Sequence, residues 1–473
     1  MLIRRAEIED AVVADLRLEG GRITEVGRDL QVHPGQPVID ARGGALIPGL
    51  HDHHIHLFAL AEARRSVPCG PPQVKTRQDL ATALAAAVAV AAGARDKRQW
   101  IRGIGYHESV AGDLDRHSLD SLLSDCPARI QHRSGGIWYL NSAAIKELDL
   151  DGQDFEGIER DEQGQASGRL FRGDAWLRQR LGQSAPPGLR EVGALLASFG
   201  ISGLTDATPA NSARELEAFN EARASSALPQ HLILMGGPDL PRATAPVTTA
   251  WLKVLLDDTS LPPIDSLAAT ISQAHGRDRR VAVHCVSRAQ IFVALAAFKE
   301  AGSASGDRIE HASVCPPEAV EEIAGLGLAV VTQPGFIYDR GDRYLEDVEA
   351  ADLPWLYRCR AFEDRGVALA AGTDAPFGDP DPWKAIQAAV DRRSLGGQSL
   401  GPGEALSPER ALGLFTGPAE RPGDPTRRVI KGAPADLCLL DRPWNKARKQ
   451  LTSSLLRATI ISGHLAWTDG SAR

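Results

Sequence analysis

Eight short apolar runs recur between positions 45 and 371, at 45–50, 200–206, 231–235, 252–256, 281–284, 308–311, 328–332 and 367–371. Most are near-continuous rather than alternating, as expected of parallel strands covered on both faces. From the second run onward, Ala-rich stretches long enough for one helix separate them. Eight β/α units predict an α/β fold of the (β/α)8 TIM-barrel class, in which functional groups gather at the C-terminal ends of the strands.

The spacing is broken once. Residues 57–199 hold far more chain than one helix requires, so an insertion is expected after barrel strand 1, lying over the active-site mouth. Both ends of the chain read as strands and turns, at 11–14, 20–27 and 37–40, then at 435–440 and 457–461. The expected organisation is a composite β-sandwich domain from 1–45 and 425–473, and a barrel over 46–424 whose 57–199 segment contains the insertion.

Composition removes several classes of partner. Lys plus Arg number 53 against 61 Asp plus Glu, a net charge of −8, and no basic run is long enough to track a phosphate backbone. Nucleic acid is therefore not an expected partner. The first ten residues are charged where a signal peptide would be apolar, and no stretch reaches the ~18 uncharged apolar residues that span a bilayer. A cytoplasmic chain without a membrane partner is expected. Six cysteines form no CxxC pair, so neither a disulfide scaffold nor a thiolate zinc site is signalled.

Four of the 13 histidines, His51, His53, His54 and His56, fall within six residues after the first run. In an extended chain residues i and i+2 project to one side, so the imidazoles of His54 and His56 can meet one cation. His51 and His53 are expected in supporting or solvent-facing roles. Further ligand-type residues stand in or just after later runs: Lys253, His284, His311 and Asp374. Lys253 and His284 are 31 positions apart, about the length of one βαβ unit.

With these residues in view, the sequence resembles the amidohydrolase superfamily, in particular amidohydrolase family 3. Pro48-Gly49-Leu50-His51-Asp52-His53-His54-Ile55-His56-Leu57 is similar to its PGxxDxHxHL signature, Arg308-Ile309-Glu310-His311 to its RIEH motif, and Gly372-Thr373-Asp374-Ala375-Pro376 to its GSDxP motif. Arg133-Ser134-Gly135, Asn141-Ser142-Ala143-Ala144, Gln333-Pro334 and Lys431-Gly432-Ala433-Pro434-Ala435-Asp436-Leu437 extend the resemblance over essentially the whole chain.

The resemblance implies that His54, His56, His284 and His311 are metal ligands and that Asp374 is both a ligand and the general base. It implies Zn2+ as cofactor, two ions bridged by Lys253, with other divalent metals as the alternative. A buried lysine of depressed pKa can react with carbon dioxide, and the carbamate offers two oxygens. The competing reading pairs Lys253 with Asp257 or Asp258. The implied reaction is hydrolysis of an amide-like carbon–nitrogen bond, of N-acyl, N-formyl or cyclic amide type, in a small-molecule substrate. A homodimer is the assembly considered.

Two departures from the family stand out: His284-Cys285-Val286-Ser287-Arg288 lacks the usual HxxGD, and Gly168-Arg169-Leu170-Phe171-Arg172-Gly173 lacks an acidic residue near its end. The first stretch also lacks the Glu of mononuclear deaminases, which makes deamination the alternative activity. A metal-free assembly protein is a remote one. Substrate contacts are expected from His107, Arg133 and Trp138 in the insertion, and from Tyr338, Arg340 and Arg343 after run seven, where arginines would suit an anion. Cys285 is expected to be a small core residue rather than a nucleophile.

Overall fold

The structure is a computed structural model and describes residues 1–71, 73–92, 100–182 and 186–471. The chain divides into two compact units, one of Met1–Leu57 with Gly188–Arg473 and one of Phe58–Pro187.

The first unit contains the barrel. Its eight parallel strands run in the order Leu50–Ile55, Ile201–Asp206, His231–Gly236, Val247–Leu255, Arg280–Cys285, Arg308–His311, Ala329–Thr332 and Leu369–Ala371. Helices such as Ile264–Gly276, Arg288–Ala301 and Pro317–Gly325 alternate with them and bury one face each. This is the (β/α)8 TIM barrel.

Seven apolar runs coincide with these strands, and the first does not. Run 45–50 overlaps Leu46–Pro48, which belongs to a different sheet, while barrel strand 1 is Leu50–Ile55. The reason is chemical: strand 1 reads Leu-His-Asp-His-His-Ile and is buried at every position, so polar side chains fill an interior place where apolar ones were sought.

Strands 8 and 1 meet along a close seam. A Cβ on Gly372 would lie 2.5 Å from the backbone N of His54, so only glycine lets the two segments approach this far. Just beyond it, Asp374 N donates to His54 O at 2.8 Å and His56 N donates to Ala375 O at 2.9 Å.

The same unit holds two four-stranded sheets. One is ordered Arg22–Gly27, Val12–Glu19, Leu2–Ile8, Val38–Asp40, and the other His464–Thr468, Leu456–Ile461, Leu437–Leu440, Leu46–Pro48. Ile3, Leu16 and Ile39 from the first sheet share one buried core with Leu46, Leu437 and Ile460 from the second.

The second unit carries a six-stranded mixed sheet, ordered Ile158–Arg160, Ala166–Phe171, Ile137–Leu140, Ala128–His132, Ile101–Tyr106, Val67–Pro68. Leu80 and Leu84 of the helix Arg77–Ala92 pack with Ile101, Tyr106 and Ile130. Trp138, Leu140, Ile145 and Leu170 form a second core. Among the described residues, no helix is long and apolar enough to cross a membrane.

Candidate metal centre

At the C-terminal ends of the barrel strands, five ligand-type side chains, His54, His56, Lys253, His284 and His311, gather around Asp374. His54 Nε2 lies 3.6 Å and His56 Nε2 3.1 Å from Asp374 Oδ1, and His311 Nδ1 lies 4.0 Å from Oδ2. His54, His311 and Asp374 each place one ligand atom within 4.8 Å of the others. The His311 ring packs against His54 at 4.7 Å between centroids and edge-on to His284 at 4.5 Å.

Partners on or just beyond other barrel strands orient the rings. Glu310 Oε2 accepts from His54 Nδ1. A carboxylate only accepts, so Nδ1 carries the proton and the Nε2 lone pair is left toward Asp374. Gln333 Oε1 is 2.7 Å from His311 Nδ1, and Thr208 Oγ1 is 2.9 Å from His56 Nδ1. Glu310 is itself fixed by Arg308, whose Nε donates to it, and both are fully buried. Arg308 lies 4.3 Å over the Trp251 ring. Asp52 ties the seam, accepting from Thr373 Oγ1 at 2.6 Å, Thr373 N at 3.0 Å and His54 N at 3.1 Å.

Burial sets the protonation states. Desolvation, helped by the nearby Lys253, drives His54 down to about 4. Desolvation with the charges of its neighbours drives His284 to about 2 and His311 to about 3. These rings are neutral near pH 7, with a lone pair to offer. Burial pushes the Asp374 carboxyl up, but the His56 hydrogen bond and the charges of His54 and His311 hold it well below the ordinary carboxylate range. Lys253, 6% exposed, is lowered to about 8 by desolvation, and its Nζ has no hydrogen-bond partner. It therefore makes no hydrogen bond to Asp257 or Asp258.

His311 and Asp374 adopt left-handed backbone, with φ of 68° and 56°. Strain of about 1–3 kcal/mol at such residues persists where the surroundings impose it, commonly at functional sites. Neutral imidazoles, an ionised carboxylate and an orphaned buried amine fit a divalent transition-metal centre.

Tyr338, Arg340 and Arg343 are on the helix Gly335–Asp347, where Arg340 donates to Phe377 O at 2.6 Å and Arg343 pairs with Asp347. In the second unit Trp138 is 3% exposed, donates to Asp174 at 3.1 Å and stacks with the guanidinium groups of Arg102 and Arg129. His107 and Arg133 in that unit are half-buried.

His51 and His53 are 3% and 0% exposed, which removes the solvent-facing role. Their rings pack at 4.5 Å inside the barrel, where His51 Nε2 meets Thr205 Oγ1 at 2.9 Å. Cys285 is fully buried, and desolvation pushes its thiol up.

Sequence reasoning assigned no role to Glu310, Gln333, Thr208 or Asp52. A signal was present for Glu310: Arg308 and Glu310 are opposite charges two apart in a short buried strand, and such groups persist only when paired.

Comparison with known proteins agrees with this geometry. The amidohydrolase family profile matches residues 37–466. The chain is 25% identical to the N-substituted formamide deformylase of Arthrobacter pascens, over 98% of this chain and 97% of that protein. Crystal structures of uncharacterized metal-dependent hydrolases from Pyrococcus horikoshii OT3 and Pyrococcus furiosus superpose with TM-scores of 0.74 and 0.70 at 20% and 22% identity. The first covers 96% of this chain and 98% of its own, the second 93% and 97%, and both show the fold. With the profile spanning nearly its whole length, the chain belongs to the amidohydrolase family.

Proposed function

We propose that the chain is a metal-dependent hydrolase that cleaves an amide-like bond of a small molecule, of N-formyl, N-acyl or cyclic amide type. One observation carries the reading: three imidazoles held neutral by burial meet an ionised Asp374 and an unpartnered buried Lys253 amine at the C-terminal ends of the barrel strands. Similarity to an N-substituted formamide deformylase makes formamides the first substrates to try.

His54, His56, His284, His311 and Asp374 would hold the divalent cations, with Zn2+ favoured by the donor set. Bound there, the ions would polarise the scissile carbonyl and bring the pKa of a water toward neutrality. Asp374 accepts that water's proton on its carboxylate and releases it to the leaving nitrogen. Glu310 keeps the proton of His54 on Nδ1. Lys253, with its pKa at about 8, has an accessible neutral amine. That amine would add to the carbon of carbon dioxide, the new N–C bond replacing one C–O π bond and one proton leaving the nitrogen, and the resulting carbamate would offer two further oxygen ligands.

Metal analysis of the purified chain, with amine release measured on N-substituted formamides, N-acyl amino acids and cyclic amides, tests the proposal. About two metal equivalents are expected at the barrel cluster, counted as those lost in a His54→Ala/His56→Ala variant, with activity lost on chelation and restored by Zn2+. Turnover of lactones or phosphoesters alone would overturn the carbon–nitrogen assignment. One equivalent, with Lys253 dispensable, would replace the binuclear centre by a mononuclear one of deaminase type, and uptake of no metal would favour a non-catalytic protein.

A further inference from the structure

The second unit contains its own convergence of imidazole and carboxylate, built from two copies of one short motif. His107-Glu108-Ser109 follows the strand Ile101–Tyr106, and His132-Arg133-Ser134 begins at the last residue of the neighbouring parallel strand Ala128–His132. In each copy the histidine Nδ1 accepts the backbone N–H of the serine two residues on, at 3.2 Å, and lies 2.7 Å from that serine's hydroxyl. The twin turns aim both rings the same way, 29° apart in plane and 6.2 Å between centroids. His107 Nε2 is 3.4 Å from Glu108 Oε2, and His132 Nε2 is 3.2 Å from Glu108 Oε1.

We propose that His107, His132 and Glu108 form a further divalent transition-metal site, in the insertion. It does not rest on the function proposed for the barrel. Two ligands about 2.0–2.1 Å from a tetrahedral ion stand about 3.4 Å apart, close to the separation of each ring nitrogen from its own Glu108 oxygen. Burial raises the Glu108 carboxyl, but its own backbone N–H and the charges of His132 and His107 hold it below the ordinary value, so it is available as an anion. Side-chain exposures of 19%, 11% and 38% for His107, His132 and Glu108 leave a route from solvent.

Metal uptake exchanges the backbone cap on each ring for a contact to the serine hydroxyl. Without metal, each Nδ1 holds a lone pair for the serine N–H and Nε2 carries the proton toward Glu108. On binding, that proton moves to Nδ1, Nε2 ligates, the serine backbone N–H gives up its bond to Nδ1 and turns to solvent, and the serine hydroxyl accepts from Nδ1–H, the outer contact that fixes a ligating imidazole. No proton is gained or lost by the ring. Three protein ligands leave a fourth position open to water or substrate.

The test replaces both histidines by asparagine, whose side-chain oxygen caps as Nδ1 does but which offers nothing in place of Nε2. Zn2+ equivalents are counted by elemental analysis after equilibrium dialysis, and Co2+ uptake is followed by its visible absorption. The full chain is expected to bind one more equivalent than the His107→Asn/His132→Asn variant, at equal thermal stability. In a His54→Ala/His56→Ala background, disabled at the barrel, that equivalent should remain and then disappear with the same two changes. Ser109→Ala/Ser134→Ala should weaken its affinity about 10–100-fold. Equal stoichiometry and affinity in the full chain and the asparagine variant would overturn the proposal and leave the cluster as a hydrogen-bond network alone.

Discussion

The barrel cluster and the insertion cluster use the same side chains, imidazole and carboxylate, and arrive at them by opposite routes. In the barrel, His54 and Asp374 come from the ends of the first and last barrel strands, and each ring is oriented by a residue on or just beyond another strand: Glu310 for His54, Gln333 for His311, Thr208 for His56. In the insertion, each histidine is oriented by a serine two residues away. The barrel site is buried and depends on the whole fold, whereas the insertion site is half-exposed and locally made. In the barrel, burial and neighbouring charge hold His54, His284 and His311 neutral.

The largest effect that could break this contrast is catalytic. Asp374→Asn should lower amine release by roughly 10²–10⁴-fold, as removal of a proton-transfer group does, with metal content measured alongside. Unchanged turnover would remove Asp374 from the chemistry. Next is the buried support. Glu310→Ala leaves the Arg308 guanidinium buried without its partner, and urea unfolding should show a loss of about 3–5 kcal/mol. A comparable loss in Ser134→Ala would erase the distinction between a remote scaffold and a local one.

The seam gives a smaller effect. Gly372→Ala forces a methyl against the His54 backbone and should cost about 1–3 kcal/mol, read as a lower urea midpoint together with weaker metal binding.

The smallest is graded by pH. Desolvation holds His53 at about 3 and drives His51 well below its ordinary value, so both stay neutral in the folded protein while the unfolded chain takes up protons below about pH 6.5. Depressed histidine pKa values therefore make stability fall as pH drops from about 6.5 toward 3, by at most about 1.4 kcal/mol per pH unit for each ring. His53→Phe should flatten that slope in urea titrations between pH 7 and 5, and an unchanged slope would mean that His53 is not held neutral.

Much of the barrel was legible because burying a strand on both faces demands apolar residues, and seven runs obey that demand. Strand 1 does not, since His51, Asp52, His53 and His54 satisfy one another and their neighbours inside the barrel. The sandwich strand Leu2–Ile8 escaped for a different reason. Its pairing slips between Ile3 and Ala6, and Arg5 has a φ of 53°, so the alternation that marks a strand is interrupted at Arg4-Arg5.

For the candidate site, residues at strand ends could be nominated from position alone. Their orienting partners could not, because Glu310 meets His54 across 256 positions, and only the closed barrel brings them together.

The glycine seam also fixes an order of events. Barrel closure unites segments 321 positions apart, as between Asp52 and Thr373, and such non-local pairing is slow to form. During synthesis the His54-Ile55-His56 segment exists long before Asp374 emerges, and a chain truncated before Gly372 could not complete the cluster. Metal retention by this protein would thus report that the last strand has docked against the first, making the ion a marker of finished folding as well as a tool of chemistry.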